Sequence, residues 1–312
     1  MSVRDCISGD GTWVHKTTST DMIKRVILAV LFLISLLPGF SQNQKINVVV
    51  IGAHPDDCDL DAGGTAILFA KMGHRVLFVS ATNGDAGHFN KGGEALAKIR
   101  KAEAEEAGRR FGITYKVLDN HDGLLMPDLK LRLELIKLIR EWNADVVIGH
   151  RPYDYHPDHR NTAIAIQDAA YLVIVPNIAP ETPALKKNPV FLYTEDRFQL
   201  PNPFRPDIVV DISKVFEQKV YALAAHQSQF FEWLPWTSGQ LESVPKTDSD
   251  RLKWLAEKRK GSISPEMKAG LIKWYGEKGN QAKHAEAFEI CEYGSYPNDE
   301  EIRRLFPMLK KD

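Results

Sequence analysis

Short apolar runs alternate with longer amphipathic segments through the first two thirds of the chain. The runs are rich in Val and Ile and predict six strands, at residues 45–51, 75–80, 115–118, 145–149, 190–194 and 207–211. Helical periodicity between them predicts helices at 63–72, 94–111 and 129–142, with a fourth beginning near residue 156. Strands that are apolar on both faces and alternate with helices favour an α/β fold, in which a Rossmann-like, mostly parallel sheet has helices on both faces.

The pattern becomes mainly helical after Ile212, where helices are predicted at 214–229, 248–260 and 265–277. A Trp- and Pro-containing segment, "FFEWLPWTSGQ", separates the first two of these helices. We therefore expect a core at residues 42–231 and a mainly helical C-terminal extension at residues 232–312 that packs on the core.

The N-terminal residues have the pattern of a secretory signal peptide. A basic stretch, Met22–Arg25, precedes the apolar run Val26–Leu37, and Gly39 and Ser41 are small residues at the cleavage positions. The run is too short to span a bilayer comfortably, so a permanent membrane anchor is the weaker interpretation. We expect residues 1–41 to be a leader that starts functionally at Met22 and is removed on export to the periplasm or the cell exterior.

The composition excludes some classes of partner. With 312 residues and 44% hydrophobic content the chain can bury a large core. A net charge of −1 gives no bulk attraction to nucleic acid or to an anionic membrane, so we expect a small-molecule partner, and self-association into a homo-oligomer stays open. Removal of the leader would leave Cys58 and Cys291, which do not make a disulfide framework. Cys58 is expected to be a packed thiol or one close to a metal.

Clusters of His and Asp follow two of the predicted strands. "AHPDD" contains His54, Asp56 and Asp57, and "HPDH" contains His156 and His159. Taken singly, each cluster is explained as well by a turn or a helix cap. Together they lie at the carboxyl ends of strands in one sheet, where ligands bind. Two imidazoles and a carboxylate suit Zn²⁺ with a fourth position for water, and this set leaves Asp56 as a general base.

The two motifs, in this order, resemble those of the LmbE-like zinc de-N-acetylases, the family of N-acetylglucosaminyl-phosphatidylinositol de-N-acetylase (PIG-L). The resemblance covers Ile46–Phe231, and the late segment "AEAFEI", Ala285–Ile290, is similar to the closing motif of the family. It implies a zinc-dependent hydrolase that removes the N-acetyl group from an N-acetylglucosamine-type amino sugar or glycoconjugate.

The resemblance also assigns roles to individual residues. It implies that His54, Asp57 and His159 bind zinc and that Asp56 is the general base. It implies that His156 stabilises the oxyanion and assists protonation of the leaving group. Each role belongs to a residue that matches a family motif in this sequence.

Three weaker features lie outside these motifs. Arg100 and Glu103 resemble an Arg-x-x-Glu helix of the family, from which Arg100 would face the substrate, although a solvated helix face explains them nearly as well. His226 resembles a residue near the family's active site, and a buried structural His is the alternative. The loop Gly84–Gly93 lacks the glycine spacing of a phosphate-binding loop and is expected to cover the substrate.

Other functions are compatible with parts of this pattern. The same zinc chemistry would serve a hydrolase of a different amide. A non-catalytic glycan-binding relative is a further alternative, but a binding protein needs no general base at Asp56. A dinucleotide oxidoreductase is disfavoured because "IGAHPDD" lacks the Gly-x-Gly-x-x-Gly turn that admits a pyrophosphate.

Overall fold

A computed structural model describes residues 45–310, together with Thr20 and Lys24. The chain separates into two compact units, residues 1–44 and 45–312, and the elements below all belong to the second. The predicted signal peptide and its cleavage site lie outside the described residues, apart from Lys24. Among the helices described, none combines the length and the apolar character needed to cross a membrane.

Seven strands form a single sheet in the order β3-β2-β1-β4-β5-β7-β6. Strands β1 to β5 are parallel, whereas β7 runs antiparallel to both of its neighbours, β5 and β6. The strand bounds are β1 Asn47–Gly52, β2 Arg75–Ser80, β3 Thr114–Val117, β4 Val146–Gly149, β5 Val190–Thr194, β6 Ile208–Asp211 and β7 Ala285–Gly294. The α/β fold and all six predicted strands are confirmed, each strand to within two residues at either end.

The strand β7 was not predicted. Residues 232–312, which we expected to be mainly helical, supply this strand as well as helices, and it lies inside the sheet between β5 and β6. Its sequence, "AEAFEICEYG", places Glu residues among the apolar ones and has few β-branched residues. The local sequence therefore does not have the usual pattern of a strand. The position of β7 is determined by its pairing with β5 and β6.

Helices cover both faces of the sheet. Their bounds are α1 Asp57–Lys71, α2 Gly93–Phe111, α3 Leu129–Glu141, α4 Pro157–Leu172, α5 Phe216–Leu223, a π-helix Gln229–Trp233, α6 Leu234–Thr237, α7 Asp248–Arg259, α8 Pro265–Tyr275 and α9 Asp299–Leu305, with 3₁₀ turns at Leu241–Ser243 and Gly276–Gln281. The helix expected at 63–72 begins at Asp57, six residues earlier. Asp57 and Asp59 in its first turn complement the positive end of the helix dipole.

The core has two layers, one on each side of the sheet. Alternate strand residues such as Val48 and Val50 pack with α1, α2 and α5, whereas Val49 and Ile51 pack with α3 and α4. Because side chains alternate across a strand, a strand with helices on both sides must be apolar at every position. This explains why β1 is a continuous apolar run. Polar residues can begin only where the strand ends, and they do so at His54.

A buried ion pair joins α1, α5 and β7. The Lys219 ammonium lies 2.7 Å from Oε1 of Glu286 and donates to the Leu60 carbonyl at 2.6 Å. The Glu286 carboxylate accepts from the backbone N–H groups of Gly64 and Thr65, both at 2.7 Å. In a regular helix the Leu60 carbonyl and the Gly64 N–H bond to each other. The ion pair is therefore inserted into the backbone ladder of the helix that carries Asp57.

Candidate metal and active site

The site lies at the carboxyl ends of β1 and β4, which are neighbours in the sheet. From β1 the chain order continues through β2 and β3 on one side, and from β4 through β5 on the other, so the gap between β1 and β4 is the topological switch point. A cavity of about 610 Å³ opens there. Both predicted clusters contribute to its lining, together with loops from the rest of this edge of the sheet.

Gly52 allows the turn after β1 to fold tightly against the start of α1. A Cβ atom at Gly52 would lie 2.7 Å from Cβ of Asp57, closer than side chains approach each other. In the turn, Oδ2 of Asp57 accepts a hydrogen bond from the backbone N–H of His54 at 2.7 Å. The turn thus brings a carboxylate back toward the imidazole that precedes it by three residues.

The three predicted zinc ligands converge on one point. Nδ1 of His54 lies 3.2 Å from Nε2 of His159, and each of these nitrogens lies 3.4 Å from Oδ2 of Asp57. Tetrahedral coordination at about 2.0–2.1 Å places neighbouring ligand atoms about 3.3 Å apart. The spacing of the three donor atoms therefore fits a metal ion of the size of zinc, and one carboxylate with two imidazoles is a donor set that zinc accepts.

Carboxylates orient both imidazole rings for this purpose. Nδ1 of His159 lies 3.0 Å from Oδ2 of Asp154, and Nε2 of His54 lies 3.2 Å from Oδ1 of Asp122 and 3.4 Å from Oδ2 of Asp158. A carboxylate on one ring nitrogen places the proton there and leaves the lone pair of the other nitrogen for a metal. In both rings the nitrogen that is left faces the convergence point.

The electrostatics of the cluster indicate a cation at this point. Burial opposes protonation of both rings, yet the carboxylates raise the pKa of His54 well above its ordinary value and also raise that of His159. Burial likewise opposes ionisation of Asp57, but His159 and His54 hold its pKa well below the ordinary value. Three acceptor atoms in such close contact require a positive charge among them, which protons on the imidazoles or a bound metal ion can supply.

His150, at the end of β4, is a fourth imidazole in the cluster. Its Nε2 lies 3.3 Å from Oδ2 of Asp57, and its ring stacks on His159 with 4.1 Å between centroids. The backbone N–H of Ala53 donates to this same Nε2 at 3.2 Å. The lone pair that would bind a metal is thus engaged by the backbone. Burial also lowers the pKa of His150, so the ring is a neutral packing partner of the ligands.

Asp56, the predicted general base, lies beside the ligands and is held by Arg100. The Arg100 guanidinium donates to Oδ1 of Asp56 at 3.0 Å and to the Pro55 carbonyl at 3.1 Å. Arg100 is only 2% exposed, which excludes the solvated helix face that was the alternative. Both residues line the cavity. Arg100 therefore fixes the carboxylate of Asp56 in place.

His156 caps the N-terminus of α4 and lines the cavity. Its Nδ1 accepts a hydrogen bond from the backbone N–H of Asp158 at 3.2 Å, so the proton of the neutral ring is on Nε2. Burial, together with His54 and His159, lowers the pKa of His156 and favours this neutral form. The ring is a neutral N–H donor next to the three predicted ligands, and such a donor is compatible with the oxyanion-stabilising role that the resemblance implies.

His226 does not reach the cavity. Its side chain is fully buried, and its Nε2 lies 2.8 Å from Oδ1 of Asp59, whose other oxygen accepts from the Tyr115 hydroxyl at 2.8 Å. The structure therefore places His226 beneath the site, as the alternative of a buried structural His describes. Cys58 is a packed thiol, since its Sγ donates to the carbonyls of Val50 and Val79 at 3.4 and 3.5 Å.

Several residues support the site from other elements, and the sequence patterns marked some of them but not Asp122. Asp122 follows β3 and reaches His54 across the loop, and nothing in its local sequence marked it. Glu103, one turn after Arg100, accepts from the backbone N–H and hydroxyl of Ser228 at 2.7 and 2.6 Å. Gln229, which follows Ser228 in the sequence, lines the cavity, and its side-chain amide donates to the Gly87 carbonyl at 3.1 Å.

Comparison with known proteins gives the chain a context. Residues 49–170 match the model of the family described as GlcNAc-PI de-N-acetylase, PIG-L. The chain is 30% identical over 215 residues to a diacetylchitobiose deacetylase of Thermococcus kodakarensis, an alignment that covers 63% of this chain and 77% of that protein. It is 31% identical over 219 residues to a probable N-acetyl-alpha-D-glucosaminyl L-malate deacetylase 2 of Bacillus cereus, covering 67% and 94%.

The fold has a counterpart among solved structures. The N,N'-diacetylchitobiose deacetylase from Pyrococcus horikoshii, in complex with an inhibitor, aligns with a TM-score of 0.59 and 24% identity, covering 88% of this chain and 94% of that one. At this identity the likeness concerns the fold. It confirms the mixed, mostly parallel sheet with helices on both faces.

Proposed function

This chain belongs to the PIG-L family of LmbE-like de-N-acetylases, and on that basis we propose that it is a zinc-dependent hydrolase of N-acetylated amino sugars. Its reaction would release acetate from an N-acetylglucosamine-type sugar or glycoconjugate. The observation that carries the proposal is the convergence of Nδ1 of His54, Oδ2 of Asp57 and Nε2 of His159 within 3.2–3.4 Å of one another, beside Asp56 and His156.

His54, Asp57 and His159 would hold the zinc ion, whose chemistry is Lewis acidity that polarises a carbonyl and lowers the pKa of water. The surrounding residues would keep the three donor atoms in position for the ion. Asp154 fixes the His159 ring, and Asp122 and Asp158 fix the His54 ring.

Asp56 and His156 would move the protons. Asp56 accepts a proton from the attacking water, and Arg100 holds its carboxylate in position while it does so. The Nε2–H of His156 donates a hydrogen bond to the oxygen that becomes negative when water adds to the acetamide carbon. When the C–N bond then breaks, the amine nitrogen takes the proton that Asp56 accepted from water, with the assistance of His156, and acetate and the free amine are the products.

Substitution of the adjacent aspartates tests this division of roles. Asp56→Asn should keep zinc and lose about 10²–10⁴-fold in rate, because the nearly isosteric amide cannot take up a proton. Asp57→Asn should lose zinc, since an anionic ligand becomes neutral. Acetate release and metal content would be measured for both on an N-acetylated sugar that the wild type accepts. The exposed Asp248→Asn is the control, and near-normal turnover in zinc-loaded Asp56→Asn would reject the mechanism.

We also propose that the protein is exported. The support comes from the basic stretch, the apolar run and the small residues before Gln42. N-terminal sequencing of protein produced in a bacterial host should find a chain that begins near Gln42 outside the cytoplasm. A full-length chain recovered from the cytoplasmic fraction alone would contradict this localisation.

A further inference from the structure

A second cavity, the side cavity, lies next to the active-site cavity. Its volume is about 290 Å³, and it shares four lining residues with the larger cavity, which form a common wall: Leu60, Asp61, Glu195 and Asp196. Arg197, Lys260 and Gly261 also line the side cavity, and because all three are exposed it reaches the protein surface. The reaction proposed above uses none of the residues that line the side cavity.

Arg259, the last residue of α7, lines the side cavity and has no charged partner there. Its guanidinium makes no ion pair or hydrogen bond with any residue that the structure describes, and its Nε is buried. The guanidinium carbon lies 5.0 Å from the centre of the Phe230 ring, which supports the group on one face. A buried donor without an acceptor costs free energy, which a ligand with acceptor oxygens would recover.

Charge distinguishes the side cavity from the active-site cavity. The lining of the active-site cavity, as far as the structure describes it, includes seven carboxylates and no lysine, and both of its arginines are paired with aspartates. In the side cavity, Lys219 pairs with Glu286 and the charge of Arg259 is left over. An anion that leaves the metal site is therefore repelled by the carboxylates around it and attracted toward Arg259.

The carboxyl groups of the common wall need not prevent the passage of an anion. Burial, followed by the charge of Asp57, raises the pKa of Asp61 to about 7, and burial also raises the pKa of Glu195. The third carboxylate of the wall, that of Asp196, is paired with Arg151 at 3.1 Å. The wall thus carries less negative charge than its composition indicates, and a protonated carboxyl group can donate a hydrogen bond to a passing carboxylate.

From these observations we infer that the side cavity is a binding site for a small carboxylate, anchored by Arg259, and that it receives the acetate released by the reaction. The guanidinium presents parallel N–H donors that match the two oxygens of a carboxylate. The side cavity is too small for most sites that enclose large ligands, but a small anion fits it. This inference rests on the proposed deacetylase function for the source of the acetate, whereas the binding site itself rests on Arg259.

Acetate binding would be measured by saturation-transfer NMR at constant ionic strength, on the full chain freed of metal by a chelator so that no metal holds the anion. Arg259→Gln should weaken acetate binding by about 10-fold, because a neutral amide replaces a charged donor pair. Arg259→Lys keeps the charge but loses the planar fork, so its affinity should lie between those of the wild type and Arg259→Gln. The matched control is Lys253→Gln, which removes a cation of α7 that is 75% exposed and lies outside the side cavity.

A kinetic measurement on the zinc-loaded protein follows release of the free amine from an N-acetylated sugar in the presence of added acetate. Acetate bound to the metal would compete with the substrate and raise KM, whereas acetate in the side cavity would delay the departure of the product and lower kcat. We expect both effects in the wild type and in Lys253→Gln, and only the effect on KM in Arg259→Gln.

Contrary results separate the site from the reaction. Equal acetate affinity in the wild type and Arg259→Gln, or acetate binding no tighter than that of chloride, would overturn the carboxylate site, while amine release would keep the proposed function. A fall in kcat that persists in Arg259→Gln would overturn the part of the site in product release. If the wild type releases no amine but its acetate binding depends on Arg259, the proposed function fails and the carboxylate site stands.

Discussion

The residues proposed as metal ligands could be singled out from the sequence because each lies in a short motif at a strand end, whereas the carboxylates that contact their rings come from several loops. Asp154 lies close to His159 in sequence, but its role depends on a ring orientation that only the folded chain defines. Asp122 is 68 positions beyond His54. Sequence spacing identifies donor types, and the choice of tautomer depends on contacts made after folding.

The contact between Asp154 and His159 gives a test at this scale. Asp154→Asn removes the charge that keeps the proton on Nδ1 of His159, so zinc affinity should fall by about 10- to 100-fold. Competition with a chelator of known affinity would measure it. Asp168→Asn, which breaks the ion pair between Asp168 on α4 and Arg132 on α3, serves as the control. Equal zinc affinity in the two variants would show that Asp154 does not orient the ligand.

The two cysteines of the described chain give a second test. Cys58 and Cys291 are buried and unpaired, and burial raises the pKa of both thiols, that of Cys58 well above its ordinary value. The thiolate is the reactive form, so in a chain that begins at Gln42 neither thiol should react with a disulfide reagent until the protein unfolds. Rapid reaction of one thiol in the native protein would contradict their burial.

At the scale of elements, the periodicity predicted the existence and type of most helices but not the interruption of α1. The helix was predicted to begin at Gly63, whereas Gly63 and Gly64 lie within α1 and admit close neighbours. A Cβ atom at Gly64 would lie 2.7 Å from Cγ2 of Ile212. The same stretch receives Glu286 from a strand 222 residues away. No local pattern encodes a contact of that range, so the sequence could not reveal it.

The ion pair inserted into α1 should be sensitive to the loss of one partner. Glu286→Gln leaves the Lys219 ammonium buried without a counter-charge, so the free energy of unfolding should fall by about 3–5 kcal/mol. Urea denaturation would measure the change. Glu257→Gln, which removes the partner of Lys260 on the surface, should change it by less than about 1 kcal/mol. A small effect at Glu286 would mean that water reaches the pair.

For the whole molecule, alternation of strands and helices predicted the parallel part of the sheet because each strand there follows its helix in sequence. The position of β7 depends on hydrogen bonds to β5 and β6, and in sequence the helices α5 to α8, the π-helix and two 3₁₀ turns separate it from β6. The order β5-β7-β6 could therefore not be predicted from the sequence pattern. The π-helix Gln229–Trp233 was not predicted either, since "FFEWLPW" has the composition of a connecting segment.

All strands of the sheet and all proposed site residues lie within residues 45–312. A chain that starts at Gln42 should therefore keep the circular dichroism spectrum of a folded α/β protein and bind about one zinc ion per chain, as three converging ligands require. Circular dichroism and elemental analysis would check both points. A truncated chain that fails to fold would show that the first 41 residues contribute to the structure.

The place of β7 also governs when the protein can finish folding. Within the sheet β6 bonds only to β7, and β7 ends at residue 294 of 312. During synthesis, the backbone N–H and C=O groups of β5 and β6 that bond to β7 stay unpaired until almost the whole chain has left the ribosome. Unpaired strand edges can pair with those of other molecules. A chain that stops before Ala285 would keep both edges and lack Glu286, so we expect it to accumulate as aggregates.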